Sequence, residues 1–229
     1  MPKLTWDNVG EHFYNTGVSE VALYVWDPTM NSNAGGWGNG VAWSGVTTIE
    51  ESPDGGDAND FYADNIKYLS LRSIENYNGS ITAYQSPEEF DACDGIATLV
   101  TGAKIGQQVR KPFCLVWKTQ IGNETEGTDY GYELHIMYNA TASPSSRSYE
   151  TINDSPEPTE LSWDFETTPI SVDGNKPTAH IVINSRAADS TKLATLEKAL
   201  YGGTGNGEEP HIVMPTAPAG EDSITSILG

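Results

Sequence analysis

Two stretches of this chain alternate between residues of one kind and residues of another, and that period restricts the fold more than any other feature. Leu161, Trp163 and Phe165 alternate with Ser162, Asp164 and Glu166; Tyr132, Leu134, Ile136 and Tyr138 alternate with Glu133, His135 and Met137. A period of two sends successive side chains to opposite faces of an extended backbone, so each stretch reads as a strand with one buried face. Further strands are predicted at 21–26, 41–51, 67–73, 80–84, 113–120 and 179–184. Gly, Asp, Asn and Pro cluster between them, as at Asp173-Gly174-Asn175, and that punctuation suits a β-sandwich or barrel.

Two helices interrupt the strands. Ser86-Pro87-Glu88-Glu89 places Ser at the cap, Pro at the first helical position and Glu three residues after the cap, which predicts a short helix ending near Cys93. The second runs from about Ser190 to Tyr201, with Asp189 as N-cap, Leu193, Leu196 and Leu200 as one apolar stripe and Gly202 as its stop. Three stretches fit neither pattern: the Gly- and Asn-rich 28–40 around Trp37, the segment 52–66, and the Gly- and Pro-rich tail ending in Ser223-Ile224-Thr225-Ser226-Ile227-Leu228. The expected organisation is one domain, 1–229, with an N-terminal arm 1–16, a long loop 52–66 and a C-terminal arm 203–229. A fifteen-residue loop in a compact domain is usually functional or disordered. This one carries Asp54, Asp57, Asp60 and Asp64 together with Phe61 and Tyr62, which suits docking onto another surface.

Charge narrows the function. With 12 basic and 32 acidic residues the net charge is −20. Such a surface repels nucleic acid, which disfavours binding by phosphate neutralisation. It suits either a solvated acidic exterior or a wall past which a polyanion moves without adhering, and charge alone does not choose between them. The opening Met1-Pro2-Lys3-Leu4-Thr5-Trp6 lacks an apolar run and no stretch approaches a membrane span, so a soluble, unexported protein is expected. In that setting Cys93 and Cys114 are expected to be plain buried thiols.

Nothing in the sequence assembles a catalytic constellation. There is no G-x-S-x-G, no Walker loop and no G-x-G-x-x-G between a strand and a helix. His12, His135, His180 and His211 are scattered, and none sits at zinc spacing with another His or a Cys. His135 and His180 fall in strands and are expected at surface or interface positions. The spacing of three in Asp54, Asp57 and Asp60 does not match a calcium loop. No enzyme activity, cofactor or metal site is expected.

Gly40-Val41-Ala42-Trp43-Ser44-Gly45 leads into Glu50-Glu51-Ser52-Pro53, and then Tyr62-Ala63-Asp64-Asn65-Ile66-Lys67-Tyr68-Leu69. Ser86-Pro87-Glu88-Glu89-Phe90, Cys93-Asp94-Gly95, Ile105-Gly106-Gln107-Gln108 and Arg110-Lys111 follow. Ile121-Gly122-Asn123, Thr125-Glu126-Gly127, Asp129-Tyr130-Gly131-Tyr132 and Asn153-Asp154-Ser155-Pro156-Glu157 complete the set. In order and spacing this set resembles the major tail proteins of siphoviruses, the bacteriophages with long non-contractile tails. The resemblance covers roughly residues 40–170.

The resemblance implies a β-sandwich or split-barrel domain with a flanking helix, whose sheets join across six-membered rings. The rings stack around a tape measure protein into a hollow tube that conducts DNA without binding it specifically. It implies further contacts with tail terminator and distal tail proteins, and a place in the virion tail. Within it, Glu51, Asp54, Asp57, Asp60, Phe61, Tyr62 and Asp64 are the expected inter-ring contacts, and Glu50, Glu133, Asp164 and Glu166 the expected lumen-facing acids. The rival expectation is a carbohydrate-binding β-sandwich in which Trp26, Trp37 or Trp43 stacks on sugar rings.

Overall fold

The computed structural model describes residues 4–149, 151, 158–203, 209–216 and 222–229. The Asn153-to-Glu157 part of the resemblance lies outside them. The chain is mainly β. Its strands are β1 (Tyr14–Asp27), β2 (Gly36–Trp37), β3 (Val41–Ala42), β4 (Val46–Glu51), β5 (Asp54–Gly55), β6 (Ala58–Ala63), β7 (Ile66–Arg72), β8 (Glu75–Asn76) and β9 (Asn78–Ala83). They continue as β10 (Ala97–Val100), β11 (Ala103–Ile105), β12 (Phe113–Asn123), β13 (Gly127–Ala142), β14 (Leu161–Thr167) and β15 (His180–Asn184).

One antiparallel sheet runs β2-β1-β12-β13-β14-β9-β4, with β15 also on β13 and β3 also on β1. β13 serves two partners along one edge: Glu133 to Met137 pair with β15, and Ala140 to Ala142 pair with β14. Between these halves the β12 pairing shifts register and Asn139 takes a left-handed φ of 49°, a bulge that bends the strand from one partner to the other. Residues 41–51 do something similar. β3 pairs with β1, Trp43 N–H donates to the Val21 carbonyl at 2.8 Å, and β4 pairs with β9, so the strand order returns on itself. Among the described residues, β15 pairs on one side only, and the first half of β1 pairs only with β12.

The centre of the sheet is covered on both faces. Phe113, Leu115 and Trp117 face a cluster with Leu23, Trp43, Phe90, Met137, Trp163 and Phe165; Cys114 and Val116 face a second cluster with Tyr24, Ile136 and Tyr138. Hence β12 begins as a continuous apolar run where the outer strands alternate. The second cluster is closed by helix α2 (Ser190–Tyr201), through the predicted stripe Leu193, Leu196 and Leu200. Asp189 caps this helix by accepting from the N–H groups of Thr191 and Lys192, as expected. Cys93 and Cys114 are free and buried, also as expected. Burial pushes the Cys93 thiol up to about 12, so it stays protonated.

Four expectations need correction. The turn after Ser86 is a 3₁₀ helix, Glu88–Ala92, with Pro87 in the cap position and no side-chain cap; it drives Phe90 between Trp43, Phe113 and Trp163. Stretch 28–40 holds a short turn at Met30–Asn33 (α1), and then β2 on β1, where Trp37 meets Trp26 edge-on at 5.1 Å. The C-terminal arm has partners in its own fold. Ile212 and Val213 are buried, Tyr138 Oη donates to the Val213 carbonyl at 2.8 Å, and α3 (Ile224–Leu228), capped by Ser223, buries Ile224 beside α2. The fourth correction concerns 52–66.

Candidate assembly surfaces

Residues 52–66 are not an irregular loop. They form one leg of a β-arm whose other leg returns through the strand predicted at 67–73. The legs pair as β6 with β7 and β5 with β8. Asp64 and Asn65 make the two-residue turn, with φ of 51° and 62°. Positive φ at both positions matches the twist of a hairpin, and Asp and Asn tolerate it better than other side chains. The arm leaves and re-enters through adjoining strands, since Glu51 lies opposite Gly79 and Ser52 N–H donates to the Asn78 carbonyl at 2.7 Å.

Every residue of β5 to β8 is exposed. Phe61 lies opposite Leu69, and Asn59 opposite Leu71, which gives the arm one apolar face of Phe61, Leu69 and Leu71. Tyr62 and Tyr68 are each 71 % exposed and Ile74 80 %. A two-stranded ribbon is marginal in water unless something covers a face. Of the acids expected here, Asp60 bonds to Lys67 at 2.7 Å, and hydrogen bonds from Lys67 and then Ser70 hold its carboxyl below the ordinary range. Asp54 accepts from Gly55 N–H, the Asp57 carbonyl accepts from Ser73, and Asp64 forms the turn. Advancing roughly 3.3 Å per residue, they are spread along one leg and do not converge.

The outer face of β4, β9 and β14 collects three of the four acids expected to face a lumen. Glu50 lies opposite Ser80, Ser80 opposite Asp164, and Asn78 opposite Glu166. With Ser52 and Asp54 they line an open cavity of about 560 Å³ that has no basic side chain in its walls among the described residues. Glu133 is elsewhere: it lies on β13 opposite Asn184 and accepts from Asn15 at 2.9 Å.

Two further apolar surfaces are exposed. The hairpin β10–β11, which the sequence did not suggest, presents Leu99 and Val100. The N-terminal segment presents Leu4, Trp6 and Val9, and is tied down beyond them. The backbone N–H groups of Gly10 and His12 donate to the Glu124 carboxylate, and Phe13 packs on Tyr130. Of the tryptophans considered for sugar stacking, Trp43 is in the core, while Trp26 and Trp37 are half-buried and meet edge-on.

One polar cluster joins residues the sequence kept apart. His135 on β13, His180 on β15 and Glu51 at the end of β4 bring one ligand atom each to within 4.8 Å of one another. His135 Nδ1 is 3.3 Å from His180 Nε2 and 3.9 Å from Glu51 Oε1, while His135 Nε2 is 2.9 Å from Thr119 Oγ1. Trp117 stacks on His135 and on His180 within 5° of parallel, and Tyr77 stacks on His180. Burial, and then the neighbouring His135, take His180 down to about 4; burial lowers His135 too. Both rings are therefore neutral at neutral pH; of the surface or interface positions expected for them, His135 is buried instead of at the surface, and His180 is half-buried. Register alone reveals the pairing: Met137 lies opposite His180, and His135 is its neighbour on the same face.

No protein-family model matches the chain, and no curated protein matches it either.

Proposed function

We propose that this chain is a structural subunit of a viral tail tube, assembling with copies of itself into six-membered rings that stack around a tape measure protein. The observation that carries this reading is the β-arm 52–76, a ribbon with exposed apolar residues and no covering layer among the described residues. Such a ribbon is satisfied when a second copy supplies the missing layer. Head-to-tail contacts of this kind generate rings when the rotation closes and filaments when it does not.

Three features support it. The strand order that returns on itself fits a split barrel. The open borders of β15 and of the first half of β1 are available for pairing between subunits. The face carrying Glu50, Asp164 and Glu166 suits a lumen through which DNA passes without adhering. A ring of six carries −120, six times the charge of one chain. Repulsion of that kind is screened over about 8 Å at physiological salt, so it acts as a short-range lubricant.

Electron microscopy of the purified protein tests the proposal. Rings or tubes with a central hole are expected; a protein that stays monomeric at every concentration and salt would sink it. The charge adds a second expectation, that assembly improves as salt rises and self-repulsion is screened. Light scattering that instead climbs steadily on desalting would contradict it.

A further inference from the structure

We propose that Glu51, His135 and His180 form a binding site for a divalent transition-metal ion of the zinc class, and that the ion fastens the root of the β-arm to the sheet. The donor set is two imidazole nitrogens and one carboxylate oxygen, a combination that suits zinc and its neighbours over magnesium or calcium. Two nitrogens each about 2.0–2.1 Å from a tetrahedral ion stand roughly 3.3–3.4 Å apart. His135 Nδ1 and His180 Nε2 are 3.3 Å apart. Glu51 Oε1 is 3.9 Å from His135 Nδ1 on a partly exposed side chain, within reach of a small rotation.

The surroundings prepare these atoms for an ion. Thr119 Oγ1 lies 2.9 Å from His135 Nε2 and can accept that nitrogen's N–H; in that tautomer the Nδ1 lone pair faces the cluster. The indole of Trp117 lies parallel to both imidazoles and holds their planes, so little ordering remains to be done on binding. Tyr77 Oη is buried beside Glu51, close enough to interact with its carboxylate though not at full hydrogen-bond geometry. Buried polar atoms in folded proteins normally have partners. A carboxylate drawn onto an ion offers its second oxygen to that phenol.

Position gives the site its consequence. Glu51 is the last residue of β4 before the arm, and Tyr77 the residue just before β9 on the return. His135 and His180 belong to β13 and β15, which are not hydrogen-bonded to β4. An ion held by all three would tie the arm's root to a second part of the sheet. The site stands whether or not the chain builds tubes.

Titration of the chelator-treated full-length protein with ZnCl₂, followed by calorimetry and thermal denaturation, tests this. One ion per chain and a raised Tm are expected, with no response to MgCl₂. Substituting CoCl₂ should give the visible absorption of a low-coordinate cobalt site. His180→Ala and Glu51→Gln should each weaken zinc binding at least about tenfold, that is about 1.4 kcal/mol, while circular dichroism shows both still folded. His12→Ala, which alters an exposed His–carboxylate group, should leave binding unchanged. Absence of stoichiometric zinc and cobalt binding by the native chain overturns the proposal, as does binding that survives His180→Ala. If neither variant folds, the cobalt spectrum of the native protein decides.

Discussion

β12 and β7 are both rich in large apolar residues, yet Phe113 to Trp117 are all buried and every residue of β7 is exposed. The difference lies in layers. β12 has the strands β4, β9 and β14 over one face and α2 with the C-terminal segment over the other, whereas β7 has only β6 beside it and nothing described above or below. Apolar content therefore says that a strand needs covering; topology decides whether its own chain does it. On the proposed reading, a strand of the second kind is where another molecule would supply the cover.

Substitutions can break or sharpen this contrast. The largest loss of stability is expected for Trp163→Ala, which empties a space packed by Trp43 at 5.6 Å and Phe90 at 5.2 Å. Urea denaturation should show a loss of about 3–5 kcal/mol, and a loss no larger than an arm variant's would end the comparison. Gly79→Ala comes next, because its methyl would press on the Glu50 carbonyl and, at 2.8 Å, on the Phe165 ring. A loss of about 1–3 kcal/mol is expected. Asp189→Ala removes the cap of α2 and should lower stability by about 1 kcal/mol, read from the same curves.

The smallest change in stability, within about 0.5 kcal/mol, is expected for Phe61→Ser combined with Leu69→Ser on the apolar face of the arm. That variant should nevertheless lose self-assembly in sedimentation velocity. If it unfolds, the arm belongs to the monomer's own core; if it assembles normally, the arm is not the contact.

Much of the sheet was legible because period two is a strong signal where one face is wet, as along Leu161, Trp163 and Phe165. α2 was legible too, since a cap, a stripe and a stop agreed. The arm was misread because its turn, Asp64-Asn65, lacks the Gly that advertises a hairpin, and because a strand exposed on both faces shows no alternation. The docking of Ile212 and Val213 was hidden by brevity, as two residues have no period. The histidine cluster was beyond sequence spacing altogether. His135 and His180 are brought together by the register of β13 with β15, and Glu51 arrives from a third strand. Only three-dimensional pairing supplies that information. The acid face was half legible: the alternation of Asp164 and Glu166 put them on one side, but Glu50 joins them across β9 and Glu133 does not.

The arm departs after Glu51 and returns before Asn78, where the last β4–β9 pair, Glu51 opposite Gly79, is followed by a backbone hydrogen bond from Ser52 to Asn78. An excursion pinched shut at its base is a detachable module: its reach can lengthen or shorten by matched pairs of residues without disturbing the ladder beneath. Two related chains could thus share one body and differ only in how far they extend toward a neighbour. Reach would then vary independently of the packing that keeps the body folded.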